Sequence, residues 1–120
     1  MGTHLIAEFL GVEPGKISKV RHVRRVLERV ISESGLKFIS SSYHQFKPSG
    51  VSCVYLLHES HLSVHTWPEY FYLIIDIFSC DSQEKTLKAF QVAKREFAPK
   101  QVRRRVFRQE LYEKARQEVK

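Results

Sequence analysis

Residues 70 to 80, Tyr-Phe-Tyr-Leu-Ile-Ile-Asp-Ile-Phe-Ser-Cys, constrain the fold more than any other stretch of the chain. In an extended strand, successive side chains point to opposite faces. Phe71, Leu73, Ile75 and Ile77 then share one face, and Tyr72, Ile74 and Phe78 share the other. A strand apolar on both sides is predicted to lie in the middle of a sheet, covered twice.

The rest of the chain supplies the neighbours and part of the cover. Residues 3 to 10 alternate, with Leu5, Ala7 and Phe9 on one face, and predict a first strand. Pro14 and Gly15 mark a turn over residues 11 to 16. Val20, Val23, Leu27, Val30 and Ile31 then recur at three- and four-residue steps, which predicts an amphipathic helix ending at Gly35. Strands are expected over residues 36 to 46 and 51 to 59, joined by the turn Lys47-Pro48-Ser49-Gly50. Residues 58 to 69 read as a fourth strand or an extended loop. Asp81, with Glu84 three residues on, is expected to cap a helix from Gln83 to Phe97, whose apolar stripe is Leu87, Phe90, Ala93 and Phe97. An edge strand over 101 to 107 and a short polar helix over 109 to 119 complete the chain.

This order predicts an α+β fold: a two-layer α/β sandwich, with a mainly antiparallel sheet and helices on one face. Two helices can dry only one face, whereas the strand at 70 to 80 needs both dry. A homodimer resolves the conflict.

A chain of 120 residues is one domain, spanning 1–120. Its 20 basic and 13 acidic residues give a formal charge of +7, which fits an anionic partner or a solvated surface. Arg103, Arg104 and Arg105 fall on the predicted edge strand, where charge blocks edge-to-edge pairing. No aromatic-rich RNA motif accompanies them, so no nucleic acid partner is expected. No apolar run approaches the roughly 20 residues that span a bilayer, and no secretory leader opens the chain. The expected setting is cytoplasmic, away from membranes, with Cys53 and Cys80 as free thiols.

Reactive groups concentrate in His58-Glu59-Ser60-His61-Leu62-Ser63-Val64-His65-Thr66-Trp67-Pro68-Glu69. Metal binding is the first chemistry to test. A zinc protease places His-Glu-x-x-His on a helix so that both imidazoles share a face, but here His58-Glu59 is followed by histidine at the third position. If the stretch is extended, His61 and His65 stand about 13 Å apart, too far to share an ion. No metal is expected from these histidines. Ser60 as a nucleophile, with histidine and carboxylate close in sequence, is the remaining chemistry.

Glu59-Ser60-His61-Leu62-Ser63, His65-Thr66-Trp67-Pro68-Glu69-Tyr70 and Asp76-Ile77-Phe78-Ser79-Cys80 closely resemble the self-cleaving, pyruvoyl-dependent S-adenosylmethionine decarboxylases of the short prokaryotic type. The resemblance extends upstream through His44-Gln45-Phe46, Pro48 and Gly50-Val51-Ser52, and reaches Gly2-Thr3-His4-Leu5. Three positions depart from the family pattern, in which glycine is common: Cys53, Phe71 and Asp81.

The chemistry explains why such a protein would cut itself. Loss of carbon dioxide from an α-amino acid needs an electron sink, and no standard side chain is one. A ketone forming a Schiff base with the amine serves, and a serine yields that ketone if its hydroxyl attacks the preceding carbonyl, the resulting ester eliminates, and the dehydroalanine left behind hydrolyses. The resemblance implies that the Glu59–Ser60 bond breaks, giving a 1–59 chain and a 60–120 chain that begins with a pyruvoyl group made from Ser60. It also implies that His65 moves the proton in the elimination, that Ser52 assists processing, and that Cys80 returns a proton to the substrate's Cα. A thiol, with an ordinary pKa of roughly 8.5, is protonated near neutrality and able to donate. Phe46 is implied to stack on adenine, Glu69 to accept from the ribose hydroxyls, and His65 to face the adenine. Active sites at the interface of a dimer follow from the same resemblance. The implied reaction converts S-adenosylmethionine to its decarboxylated form for spermidine and other polyamine synthesis. A related pyruvoyl-dependent arginine or ornithine decarboxylase, and an unprocessed basic binding module, are the competing readings. Intact Ser60, His65 and Cys80 argue against the last.

Overall fold

The computed structural model describes residues 2–108 and 117–118. Six strands, β1 (Thr3–Leu10), β2 (Phe38–Gln45), β3 (Val51–Leu57), β4 (Ser60–Trp67), β5 (Tyr72–Ser79) and β6 (Gln101–Arg108), form one sheet. Their order is β2-β3-β4-β5-β1-β6, and every neighbouring pair is antiparallel. Helices α1 (Val20–Ser34) and α2 (Gln83–Phe97) lie together across one face. The expected two-layer α+β architecture is therefore present, with helices on a single face. The helix expected over residues 109 to 119 lies outside the described residues, apart from helical Gln117 and Glu118.

The core lies between the helices and the helix-facing side of the sheet. Leu5, Ala7 and Phe9 of β1, Leu73, Ile75 and Ile77 of β5, and Leu62 and Val64 of β4 meet Val23, Leu27 and Val30 of α1 and Phe90, Ala93 and Phe97 of α2. Full burial of one Leu or Phe side chain contributes about 1.5–3 kcal/mol, so this face fixes which side of each strand points inward. α1 ends where Gly35 turns left-handed at φ 83°, a conformation glycine adopts without steric cost.

Three expectations need correction. Strand β5 begins at Tyr72, because Pro68–Tyr70 form a short 3-10 turn closed by Phe71, which sits off the strand, half-exposed, at φ 54°. The glycine that the resemblance leads one to expect at this position has a physical reason: the backbone there is left-handed. The strand is also covered once within the protomer, since Tyr72, Ile74, Asp76 and Phe78 remain partly exposed on the open face. The α2 cap, finally, is Ser82, whose Oγ accepts from Lys85 N at 3.1 Å. Asp81 lies one residue outside and pairs with the Lys85 ammonium at 2.6 Å. The shorter side chain reaches the free amide of the first turn, and the longer acid takes the lysine.

Candidate active site

The hairpin of β3 and β4 carries most of the motif. Leu57 pairs with Ser60, so His58 and Glu59 alone form the turn. Glu59 adopts φ 59°, a left-handed conformation that costs a non-glycine residue about 1–2 kcal/mol. Backbone strain therefore sits immediately before Ser60. The Ser60 hydroxyl is nearly buried and donates to the His58 carbonyl at 3.2 Å. A cavity of about 330 Å³ opens beside it, lined by Lys37, His58, Glu59, Ser60, Cys80 and Asp81. Ser60 and Cys80 share this cavity because β4 and β5 are neighbours and Ser60 stands opposite Ser79.

The other end of the hairpin gathers the second set of groups. Ser52 on β3 stands opposite His65 on β4, and the Ser52 Oγ lies 2.8 Å from His65 Nδ1. Phe46, Ser52, His65, Trp67 and Glu69 line one pocket of about 270 Å³. The Phe46 ring is half-exposed and abuts His44, with centroids 4.6 Å apart. An apolar platform and a carboxylate thus face the same space as the Ser52–His65 pair.

Residues that carry no reactive group hold this pocket in place. Gln45 accepts from Val20 N at 2.8 Å and donates to the carbonyls of Ser18 and Gly50, at 2.8 and 2.9 Å, which ties the strand before Phe46 to the start of α1. Buried Thr66 donates to Ile17 O at 2.7 Å and accepts from Val51 N at 2.9 Å, which fixes β4 next to His65. Gly50, at φ 113°, brings the turn after cis Pro48 close to the Thr66 carbonyl. Sequence reading missed Gln45 and Thr66 as supports. Their only signal was position beside Phe46 and His65, because all of these partners but Gly50 lie 15 to 49 residues away.

The two sets do not meet within one chain. Ser60 shares the helix-facing side of β4 with Leu62, Val64 and Thr66, while His65 points to the open face. Five residues of strand also separate them by about 16 Å. A separate surface cleft of about 840 Å³ beside Lys16, Tyr70, Phe71 and Lys100 holds none of these groups.

The two thiols stand in different settings. Cys53 is buried on the helix-facing side of β3, and burial pushes its thiol up to about 12. Cys80 is partly exposed at the edge of the Ser60 cavity. Of the two, Cys80 is both accessible and near Ser60, whereas Cys53 packs.

Fold and site together define a class: a two-layer α+β protein with a serine at a strained hairpin tip, a thiol beside it, and a hydroxyl–imidazole pair at the hairpin's far end. A family profile described as S-adenosylmethionine decarboxylase matches residues 3–110, and the chain belongs to that family of enzymes. An S-adenosylmethionine decarboxylase proenzyme of Persephonella marina is 43% identical over 106 residues, covering 88% of this chain and 80% of its own length. One from Archaeoglobus fulgidus is 42% identical, covering 86% and 92%. The crystal structure of the adenosylmethionine decarboxylase from Aquifex aeolicus superposes with a TM-score of 0.86 at 34% identity, covering 89% of this chain and 88% of the other.

Proposed function

We propose that the chain is a proenzyme that cleaves itself at Glu59–Ser60 and then decarboxylates S-adenosylmethionine, with each active site completed by a second copy of the chain. The observation that carries the proposal is the hairpin tip: a strained Glu59 backbone, Ser60 directly after it, and Cys80 in the same cavity.

Cleavage begins when Ser60 Oγ attacks the Glu59 carbonyl carbon. The strain at Glu59 raises the energy of the peptide before attack and not of the ester that follows, in which the turn is released. The nitrogen of residue 60 becomes a free amine, and the chain ends at Glu59 once the ester breaks. Breaking it requires removal of the proton on the Ser60 Cα, a task for an imidazole. His65 fits, because Ser52 holds its Nδ1 side and leaves the ring oriented on the open face.

Since His65 of the same chain is about 16 Å from Ser60, the imidazole must come from a partner. The open sheet face supports this: Ile6, Val54, Leu56, Trp67 and Phe107 are exposed there, and a second copy laid face to face covers them. In a two-fold pairing of this kind, the hairpin tip of one chain lies at the Phe46–Ser52–His65–Glu69 end of the other, and Ser60, the first residue of β4, is reached around the end of its strand and not through the sheet.

Elimination leaves residue 60 as dehydroalanine, whose imine tautomer adds water and loses ammonia, and the resulting pyruvoyl ketone supplies the electron sink for decarboxylation. Ser60 and Cys80 line a cavity large enough for the reacting part of an amino acid, and Cys80 is the acid that returns a proton to Cα. Phe46 offers a flat apolar face to an adenine ring, and an aromatic ring also attracts a sulfonium cation. Glu69 accepts two hydrogen bonds from a ribose diol. Arginine or ornithine would use neither group, so the substrate is S-adenosylmethionine, and the product is the donor for polyamine synthesis.

The test is an intact-mass time course on fresh protein, followed by carbon dioxide release from labelled S-adenosylmethionine, arginine and ornithine in parallel. Fragments 1–59 and 60–120, with turnover of S-adenosylmethionine alone, are expected. Persistent intact mass would overturn the cleavage step, and faster turnover of arginine or ornithine would overturn the substrate.

A further inference from the structure

Three side chains on the open sheet face converge and take no part in the reaction above. His4 on β1, Asp76 on β5 and His61 on β4 lie on three neighbouring strands. His4 and His61 each stand opposite Phe78, one from either side, and Asp76 lies two residues back along β5 on the same face. The two imidazoles lean inward from the flanking strands and present the same ring atom to the same acceptor. Nε2 of His4 is 2.6 Å from Asp76 Oδ1, and Nε2 of His61 is 3.7 Å from it. One potential ligand atom from each residue lies within 4.8 Å of the other two.

The surroundings hold this arrangement. Phe78 packs edge-on against His4 and stacks on His61, with centroids 5.7 Å away in each case, and Phe107 leans on His4 from β6. The rings therefore have little freedom to turn away from the carboxylate. Ile6 stands directly opposite Asp76 on β1, so one flank of the carboxylate is apolar. The three side chains remain partly exposed, so an ion can reach them from solvent.

We propose that His4, His61 and Asp76 bind one divalent transition-metal ion of the zinc class, through the two Nε2 atoms and a carboxylate oxygen of Asp76. Zinc–nitrogen and zinc–oxygen bonds of about 2.0–2.2 Å set the ligand atoms roughly 3.4 Å apart around a tetrahedral ion. The separations of 2.6 and 3.7 Å bracket that value, and small side-chain rotations close the rest. Two imidazoles select zinc, cobalt, nickel or copper over magnesium or calcium, which prefer oxygen. Three protein ligands leave one coordination position free. The inference stands apart from the reaction proposed above, because none of these residues is assigned a step in it. Sequence spacing excluded an ion shared by His61 and His65, and only the β1–β5–β4 order reveals the partners His61 does have.

The experiment is titration of the full, chelator-stripped chain with Co2+, read by visible d–d absorption, and with Zn2+ by calorimetry. One ion per chain is expected, with Zn2+ displacing Co2+. His61→Ala and His4→Gln should each weaken binding by at least about tenfold, with circular dichroism confirming that both remain folded. His4→Gln keeps a hydrogen-bond donor for Asp76, so it separates loss of a ligand from loss of packing. His44→Ala, which removes a histidine from elsewhere on the same face, should bind as the parent does. No saturable binding of Co2+, up to a concentration on the order of 100 µM, which corresponds to a binding free energy of about −5.5 kcal/mol, overturns the proposal. So does undiminished affinity in either His61→Ala or His4→Gln.

Discussion

Co-expression of two inactive variants tests the separation of Ser60 from His65 most directly. Ser60→Ala removes the nucleophile, and His65→Ala removes the imidazole. If each site draws Ser60 from one chain and His65 from the other, a mixed dimer has one site with both groups and one with neither. Random pairing makes about half of the dimers mixed, and half of their sites intact, so about a quarter of all sites recover. The Ser60 that reacts then belongs to the His65→Ala chain, so the 60–120 fragment must arise from that chain alone. Labelling one variant with heavy isotopes and measuring fragment masses reads this out. If Ser60 and His65 of one chain acted together across the roughly 16 Å between them, neither variant could rescue the other. No cleavage in the mixture, beside normal cleavage of co-expressed wild type, would refute the arrangement.

Cys80→Ala should cleave while its turnover of S-adenosylmethionine falls by about 10²–10⁴-fold, the usual loss with a general acid; full turnover, measured by carbon dioxide release, would reduce Cys80 to a lining residue. Phe71→Gly should stabilise the chain by about 1 kcal/mol, because it relieves a left-handed backbone at a half-exposed ring, and a denaturation midpoint in the Ser60→Ala background measures it. At mildly alkaline pH an alkylating reagent should modify Cys80 and spare Cys53, as peptide mass mapping will show. Because the folded state favours the protonated Cys53 thiol, its contribution is complete below the unfolded thiol's pKa and is lost as pH rises toward about 12. Urea midpoints near about pH 10.5 should therefore show a loss of about 2 kcal/mol that Cys53→Ala reduces.

Much of the architecture was legible in the sequence because its signals are local. Val20, Val23, Leu27 and Val30 repeat at helical spacing, Gly35 stops α1, and Leu5, Ala7 and Phe9 alternate, and each element forms where its pattern lies. Local signals failed where two residues compete for one task. Asp81 and Ser82 both suit an N-cap, and only the position of Lys85 decides between them. Phe71 continued an apolar alternation although the turn after Pro68 had already taken it off the strand. The candidate residues could be named from the sequence but not placed. Ser60 and His65 are near in sequence, yet strand alternation sends them to opposite faces, whereas His4 and Asp76 are 72 residues apart and touch. Pairing of that kind depends on strand order, which no window of sequence carries.

Strand order also decides what the proposed cut at Glu59–Ser60 would do to the molecule afterwards. The segment up to Glu59 contributes β1, α1, β2 and β3, and the segment from Ser60 contributes β4, β5, α2 and β6. β1 lies between β5 and β6, paired with each along all eight of its residues, while β3 remains paired with β4. The two pieces are interleaved like clasped fingers, so a cut at the turn removes no strand pairing and releases nothing. Assembly, however, changes its molecularity: an intact chain folds at a rate independent of concentration, whereas separated pieces must first find each other. The proposed cleavage would thus act as a ratchet: a molecule unfolded after the cut would have lost the covalent tether that guided its first folding.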